Sequence, residues 1–253
     1  MDLGLKGLRA LVTGGSKGIG RRCADVLADE GAHVSICARN AEEVAATVAG
    51  LKAKGVTAFG QAVDVTNKAQ LEGWVAASAE ALGGIDIVVA NVSALAGEGT
   101  EEAWQKMFET DILHTVRTVN AAMPFLEQSK AGSIVAVSSV SGREVDFFAG
   151  SYGATKAALI HYTHGLAVQL APKNIRVNAV SPGNVYFKDG IWNWIETNNP
   201  ELFQAALALN PTKRMATAEE VARGVVFLAS PASSFTSGTN LVIDGALTKG
   251  VQF

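Results

Sequence analysis

The stretch Ala10-Leu11-Val12-Thr13-Gly14-Gly15-Ser16-Lys17-Gly18-Ile19-Gly20 decides how this chain is read. An aliphatic run enters a glycine-rich turn, and the turn opens a pattern rich in Ala and Leu with helical spacing. A helix N-terminus reached through glycines is an anion site, because the backbone can approach a phosphate closely while free N–H groups and the helix dipole face its charge. The glycines stand at 14, 18 and 20, so the G-x-G-x-x-G spacing is not matched. An ordinary tight βα turn is the competing reading, and the rest of the chain decides between the two.

Outward from this turn, short β-like runs alternate with longer helical patterns. The strands expected are Ala10 to Thr13, His33 to Ala38, Ala58 to Val63, Ile85 to Ala90, Ser133 to Ser138, Arg176 to Val180 and Leu241 to Ile243. Helices are expected over Glu42 to Lys54, Ala69 to Leu82, Glu101 to Leu126, Tyr152 to Leu170 and Ala218 to Leu228. The alternation predicts βαβ units, and strands that are apolar almost throughout predict burial on both faces. The fold class that follows is α/β: a Rossmann-type, doubly wound parallel sheet of about seven strands with helices on both faces, forming one domain over residues 1–253. Ser181 to Met215, richer in Pro, Asn and large aromatics, is read as a long irregular stretch, with residues 184–215 a candidate substrate lid.

Composition excludes several functions. Apolar residues are 48% of the 253 and charged residues 18%, which supports a large covered sheet and argues against disorder. A formal net charge of −3 and no basic run argue against a nucleic-acid partner. No apolar run reaches the roughly 18 to 20 residues that a membrane span needs. No leader pattern precedes the first strand, and Cys23 and Cys37 read as buried, reduced thiols, so a cytoplasmic protein is expected. His33, His114, His161 and His164 have no ligand spacing, and no metal is expected.

The chemistry is concentrated further along. Ser139 ends the fifth strand run, and Tyr152-Gly153-Ala154-Thr155-Lys156 follows thirteen residues after it. Tyr152 and Lys156, at i and i+4 on a helix, project from one face. A phenol of ordinary pKa about 10 needs a neighbouring cation to act as a base near neutrality, and Lys156 supplies one. Such a pair alone is common on amphipathic helices. Taken together with Gly14-x-x-x-Gly18-x-Gly20, however, it resembles the classical short-chain dehydrogenases and reductases over essentially the whole chain.

That resemblance implies an oxidoreductase acting on CH–OH donors, interconverting a ketone, 3-oxoacyl compounds among the options, and a secondary alcohol by hydride transfer. Tyr152 would be the general acid/base, Ser139 the hydrogen-bond donor to the substrate oxygen, and Lys156 the cation that serves Tyr152 and binds the nicotinamide ribose. Asp111 aligns with the family's catalytic Asn. Whether it acts beside Lys156 or caps an irregularity in its helix is open. The expected cofactor contacts are Gly14, Ser16, Lys17, Gly18, Ile19, Gly20, Arg39, Asp64, Val65, Asn91, Tyr152, Lys156, Pro182, Gly183 and Val185. Asp64 is also read as a plain turn residue.

Cofactor choice is read at Cys37-Ala38-Arg39-Asn40, where an acidic residue would accept from a ribose 2′-OH and an Arg would pair with a 2′-phosphate. Arg39, with Lys17 as second cation and no carboxylate there, predicts NADP(H) rather than NAD(H). Departures from the family pattern are Ala90-Asn91-Val92-Ser93 for Asn-Asn-Ala-Gly, Asp111, and Phe187 where a Thr is usual. Tyr186, Phe187, Trp192, Trp194 and Phe203 would line a pocket for a bulky ketone or pack on a neighbouring subunit. Glu144, Asp146, Phe147 and Phe148 are further candidates to face substrate. The apolar tail Val251-Gln252-Phe253 suits a homotetramer, or a homodimer. Two other readings are a catalytically silent dinucleotide-binding sensor and a different Rossmann-type enzyme such as a methyltransferase.

Overall fold

The seven aliphatic runs do become strands of one sheet. The computed structural model describes residues 2–146 and 150–251. The strands are β1 (Arg9–Thr13), β2 (His33–Ala38), β3 (Ala58–Ala62), β4 (Ile87–Ala90), β5 (Ser133–Val137), β6 (Arg176–Pro182), the short β7 (Val185–Tyr186) and β8 (Ala216–Thr217), and β9 (Asn240–Ile243). The main sheet is parallel throughout with order β3-β2-β1-β4-β5-β6-β9, while β7 and β8 pair separately. Every residue of β4 and β5 is buried, as expected for strands covered on both faces.

Nine α-helices are described: α1 (Gly18–Asp29), α2 (Ala41–Lys52), α3 (Lys68–Leu82), α4 (Glu101–Met107), α5 (His114–Leu126), α6 (Ser151–Leu170), α7 (Ile191–Asn198), α8 (Pro200–Leu209) and α9 (Ala218–Ala229). Two separate cores show the layering. Cys23 and Leu27 of α1, Leu51 of α2 and Val221 and Val225 of α9 pack on one face of the sheet. Trp74 of α3, Val119 and Ala122 of α5 and Ala167 of α6 pack on the other. The strand order reverses between β1 and β4, so the carboxyl ends of β1, β4, β5 and β6 surround the crevice where ligands of open α/β sheets collect.

Two expectations are corrected. The single helix over Glu101 to Leu126 is interrupted: Phe108–Leu113 forms a π-helical segment between α4 and α5. A widened turn of this kind carries no mark in apolar periodicity, because it only shifts the phase of the pattern. The stretch from Ser181 to Met215 is also not irregular, since it contains the end of β6, β7, α7 and α8. Its Pro and Asn are helix-start signals: Pro200 opens α8, and the Asn199 side chain accepts from the Leu202 N–H at 3.2 Å. No described helix is long and apolar enough to cross a membrane. Cys23 and Cys37 are free and buried, and burial pushes the Cys37 thiol up to about 12.

Opposite the crevice, at the amino ends of the strands, Asp86 is buried yet fully partnered. It accepts from the Arg9 Nε at 2.7 Å, a second guanidinium nitrogen at 2.8 Å and the Arg9 backbone N–H at 2.9 Å. This ties β1 to the entrance of β4 and explains how a carboxylate fits within a nearly apolar run.

Candidate active site

The turn after β1 is built by close approach. A Cβ at Gly20 would lie 2.3 Å from the Gly14 carbonyl oxygen, so no side chain fits where α1 starts against the turn. Gly18 has φ +55, and a Cβ there would come within 2.6 Å of the Phe187 ring. Lys17, Gly18 and Ile19 open onto a cleft of about 220 Å³ whose other walls include Asn91, Ser139, Tyr152, Lys156, Pro182, Gly183 and Val185. The glycines, the free N–H groups at the start of a twelve-residue helix and the adjoining cleft together fit a dinucleotide pyrophosphate.

Tyr152 and Lys156 lie in the first turns of α6, with the Lys156 Nζ 5.6 Å from the centre of the Tyr152 ring. Ser139, directly after β5, reaches the same cleft. Its Oγ lies 3.2 Å from both the Ser141 N–H and the Ser141 Oγ, and Ser141 in turn donates to Asp146 at 2.5 Å. Ser138 is committed elsewhere, donating to the Lys156 carbonyl at 2.8 Å. Both serines border the cleft, but the Ser138 hydroxyl is tied to backbone whereas that of Ser139 is held only by its neighbour Ser141.

Asp111 stands in the irregular segment of its helix and beside Lys156. It lies inside the π-helical segment, and its carboxylate forms an ion pair with the Lys156 ammonium at 2.9 Å, both side chains being 2% exposed or less. The other carboxylate oxygen accepts from the Ala94 N–H at 2.9 Å, in the loop after β4, and Lys156 also donates to the Val137 carbonyl at 3.2 Å. Burial opposes the ammonium, but the charge of Asp111 outweighs it, helped by Tyr152, and holds Lys156 above its ordinary range. Beneath this pair, His114 donates through Nδ1 to the Thr110 carbonyl and meets Thr13 Oγ1 at 3.1 Å through Nε2. A carbonyl can only accept, so Nδ1 carries the proton and Nε2 accepts from the Thr13 hydroxyl. Burial lowers His114 to about 4 against the opposing charge of Asp111, so it is neutral near pH 7. Thr13 Oγ1 then accepts from the Asn91 N–H at 2.9 Å, and the Asn91 amide donates to the Thr13 carbonyl at 3.1 Å, which binds the end of β4 to the glycine turn.

The remaining expected contacts are distributed differently. Gly14, Ser16, Gly20, Arg39, Asp64, Val65 and Asp111 do not line the cleft itself. Asp64 is a turn residue here, accepting from the Thr66 N–H at 2.9 Å and hydroxyl at 2.7 Å, and Val65 is buried in the core. The end of β2 carries no carboxylate, as its sequence reads, but one arrives from elsewhere: Glu43, in the first turn of α2, pairs with Lys17 at 2.8 Å and accepts from the Ser16 hydroxyl at 3.1 Å. It lies four residues beyond Arg39, on a helix rather than at the strand end, where sequence reading does not look for it.

The aromatic cluster divides. Phe187 and Trp192 line the cleft together with Leu95 and Ile191. Trp192 also packs with Phe203, Ile195 and Met215 in a small core of its own, against which Tyr186 lies, while Trp194 is 60% exposed. Glu144 accepts from the Gly250 N–H at 2.8 Å and so holds the C-terminal segment rather than lining the cleft. Phe147, Phe148, Gln252 and Phe253 lie outside the described residues. Among the described residues, no group of three or more His, Cys, Asp or Glu side chains is placed to share a metal ion.

Comparison with known proteins agrees with this fold. A family model described as enoyl-(acyl carrier protein) reductase matches residues 14–248. Isoepoxydon dehydrogenase of Penicillium expansum is 42% identical over 261 residues, covering 100% of this chain and 99% of its own. Dehydrogenase/reductase SDR family member 4 of Sus scrofa is 35% identical, covering 93% and 85%. Among solved structures, L-sorbose reductase from Gluconobacter frateurii, complexed with NADPH and L-sorbose, superposes with a TM-score of 0.93 at 30% identity, covering 99% of this chain and 100% of its own. An NADPH-bound short-chain oxidoreductase from Pseudomonas aeruginosa, described as containing an atypical catalytic center, gives 0.88 at 30% identity over 96% and 98%. Likeness of this extent in both sequence and backbone means that the chain belongs to the short-chain dehydrogenase/reductase family of NAD(P)-dependent oxidoreductases.

Proposed function

We propose that this protein interconverts a small ketone and its secondary alcohol using NADP(H). The observation that carries the reading is the cleft itself, into which Ser139, Tyr152 and Lys156 open alongside the glycine turn. Bound NADP(H) would supply or accept the hydride at the substrate carbon. Tyr152 gives its phenolic proton to the substrate oxygen during reduction and takes it back during oxidation, while the Ser139 hydroxyl donates a hydrogen bond that stabilises charge on that oxygen. Lys156, held as an ammonium by Asp111, stabilises a Tyr152 phenolate and presents a donor to the nicotinamide ribose. Asp111 acts through Lys156 and is a positioning residue.

Gly14 to Gly20 would hold the pyrophosphate, Asn91 and the backbone from Pro182 to Val185 would lie by the nicotinamide, and Lys17 and Arg39 would supply cations for the 2′-phosphate. NADPH in two structurally similar relatives supports that choice. The cleft joins the apolar Leu95, Ile191 and Trp192 to the polar Ser93, Ser139 and Tyr152, which favours a compact, oxygenated ketone over a long acyl chain. Relatives named for isoepoxydon and L-sorbose point the same way. We further read the chain as one catalytic domain acting in a homotetramer, with the exposed Trp104, Phe108 and Phe235 among the surfaces that like copies cover. Analytical ultracentrifugation checks the assembly.

The activity is tested by oxidation of NADPH with a panel of small ketones, ketoses and a 3-oxoacyl thioester, for wild type and Tyr152→Phe. Turnover lowered about 10³-fold by the substitution, with NADPH affinity retained, is the expected result. Tight NADPH binding without turnover of any ketone would favour a silent dinucleotide sensor instead.

A further inference from the structure

Glu43 places a carboxylate on one of the cations assigned to the 2′-phosphate and on a hydroxyl of the glycine turn. Its oxygens take the Lys17 ammonium at 2.8 Å and the Ser16 hydroxyl at 3.1 Å. The side chain is set there by α2, whose N-cap Asn40 accepts from the Glu43 N–H at 3.0 Å and so fixes the start of the helix beside the glycine turn. Lys17 thus faces the cofactor side largely neutralised. Asp189 reaches it more weakly, and Arg39 is exposed with its charge felt by Asp64.

We infer that Glu43 is a cofactor-selecting residue that opposes NADP(H) and admits NAD(H). This rests on the reading of the site as a dinucleotide site with Lys17 and Arg39 at the ribose 2′ position. A 2′-phosphate arriving there must displace Glu43 from Lys17 and Ser16 and then remain close to a like charge. A 2′-OH meets the opposite situation, because a carboxylate is the acceptor that an NAD ribose requires. The acidic residue missing from the end of β2 is therefore supplied from the first turn of α2. The exchange is feasible because the Lys17–Glu43 pair is solvent-exposed, and such pairs contribute little to folding.

The experiment titrates NADPH and NADH separately against wild type, Glu43→Gln and Glu43→Ala, following quenching of intrinsic fluorescence. Glu43→Gln is expected to tighten NADPH about fivefold and weaken NADH about threefold, the scale of one partly exposed charge interaction. Glu43→Ala should follow it. In a Lys17→Gln background the same change should shift the NADPH to NADH preference less than it does in wild type, because the part that acts by freeing Lys17 is gone, a coupling that a purely structural glutamate would not show. Thermal midpoints should stay close to wild type, since the Asn40 cap is untouched.

A preference ratio that stays within about twofold of wild type overturns the inference. Weaker NADPH binding by Glu43→Gln also overturns it, by making Glu43 a brace that presents Lys17 to the phosphate. The cofactor reading fails separately: wild type that prefers NADH defeats the NADP(H) assignment, while the Glu43→Gln ratio still judges Glu43. Wild type that binds neither nucleotide removes both.

Discussion

Replacing Asp111 by Asn tests the buried ion pair without removing its shape. The introduced amide keeps an oxygen for the Ala94 N–H, and Lys156 keeps the Val137 carbonyl, so what is lost is the charge 2.9 Å from Nζ. At an effective dielectric of about 20 the gross attraction at that distance is about 6 kcal/mol. Removing one partner of a buried pair typically costs about 3 to 5 kcal/mol, because the surviving charge stays desolvated. With the acceptors retained we expect about 3 kcal/mol at pH 7, read as a lowered denaturant midpoint or a thermal midpoint about 6 to 12 °C lower for a chain of this size. The pH dependence identifies the cause. In the wild type Lys156 lies above its ordinary value, so its contribution is complete below about pH 10.4 and fades only as pH rises through the folded value. In Asp111→Asn, burial is no longer outweighed and the ammonium falls below its ordinary value. The unfolded chain then binds more protons than the folded one, and stability rises with pH by up to about 1.4 kcal/mol per pH unit. The gap between variant and wild type should therefore narrow between about pH 7 and 10. A gap below about 1 kcal/mol at pH 7, or one that does not change with pH, would refute the reasoning.

Other outcomes follow from neighbouring residues. His114 is held neutral down to about 4, so as pH falls below about 6.5 only the unfolded chain gains that proton; stability should fall by up to about 3 kcal/mol between pH 6.5 and 4, and His114→Gln should flatten this part of the profile in chemical denaturation. Gly18→Ala combines a left-handed φ of +55 with a contact 2.6 Å from the Phe187 ring; about 1 to 3 kcal/mol of stability and at least about tenfold in NADPH affinity should be lost, with Phe187→Ala in the same chain restoring only the part due to the contact. Undiminished NADPH affinity in Gly18→Ala would count against the turn as the phosphate cradle. Trp192→Ala, at a buried cleft wall, should cost about 3 to 5 kcal/mol and raise KM for the ketone, while Trp194→Ala, 60% exposed, should stay within about 0.5 kcal/mol by denaturant titration.

The frame was legible because strands buried on both faces have no freedom in composition. Val88, Val89, Val135 and Val177 could be read as sheet from their neighbours alone. That Ser139, Tyr152 and Lys156 share one cleft was legible for another reason, since the proposed proton transfer needs an i, i+4 pair beside a hydroxyl. What escaped was whatever depends on distance in space. The π-helical segment that brings Asp111 to Lys156 only shifts the phase of the apolar pattern. The carboxylate of Glu43 comes from a helix that looks solvated in sequence. Pro200 and Asn199 have the composition of a loop and the function of a helix start, so the segment bearing Trp192 looked structureless. Asp64 carries both of its readings at once: one carboxylate oxygen takes the Thr66 N–H and hydroxyl as a turn residue does, at a position that resembles a cofactor contact.

The ring of Phe187 lies between two glycines, Gly18 at the head of α1 and Gly190 at the head of α7, close enough that a methyl group on either would strike it. It works as a spacer between two walls of one chamber. The turn on one side belongs to the nucleotide half, and the helix on the other carries Trp192 toward the substrate half. A turn that shifted on taking up a nucleotide would press on this ring, and through it on the start of the helix that carries Trp192. The expected consequence is that the two guests influence each other's affinity, and that a smaller residue at 187 weakens that influence.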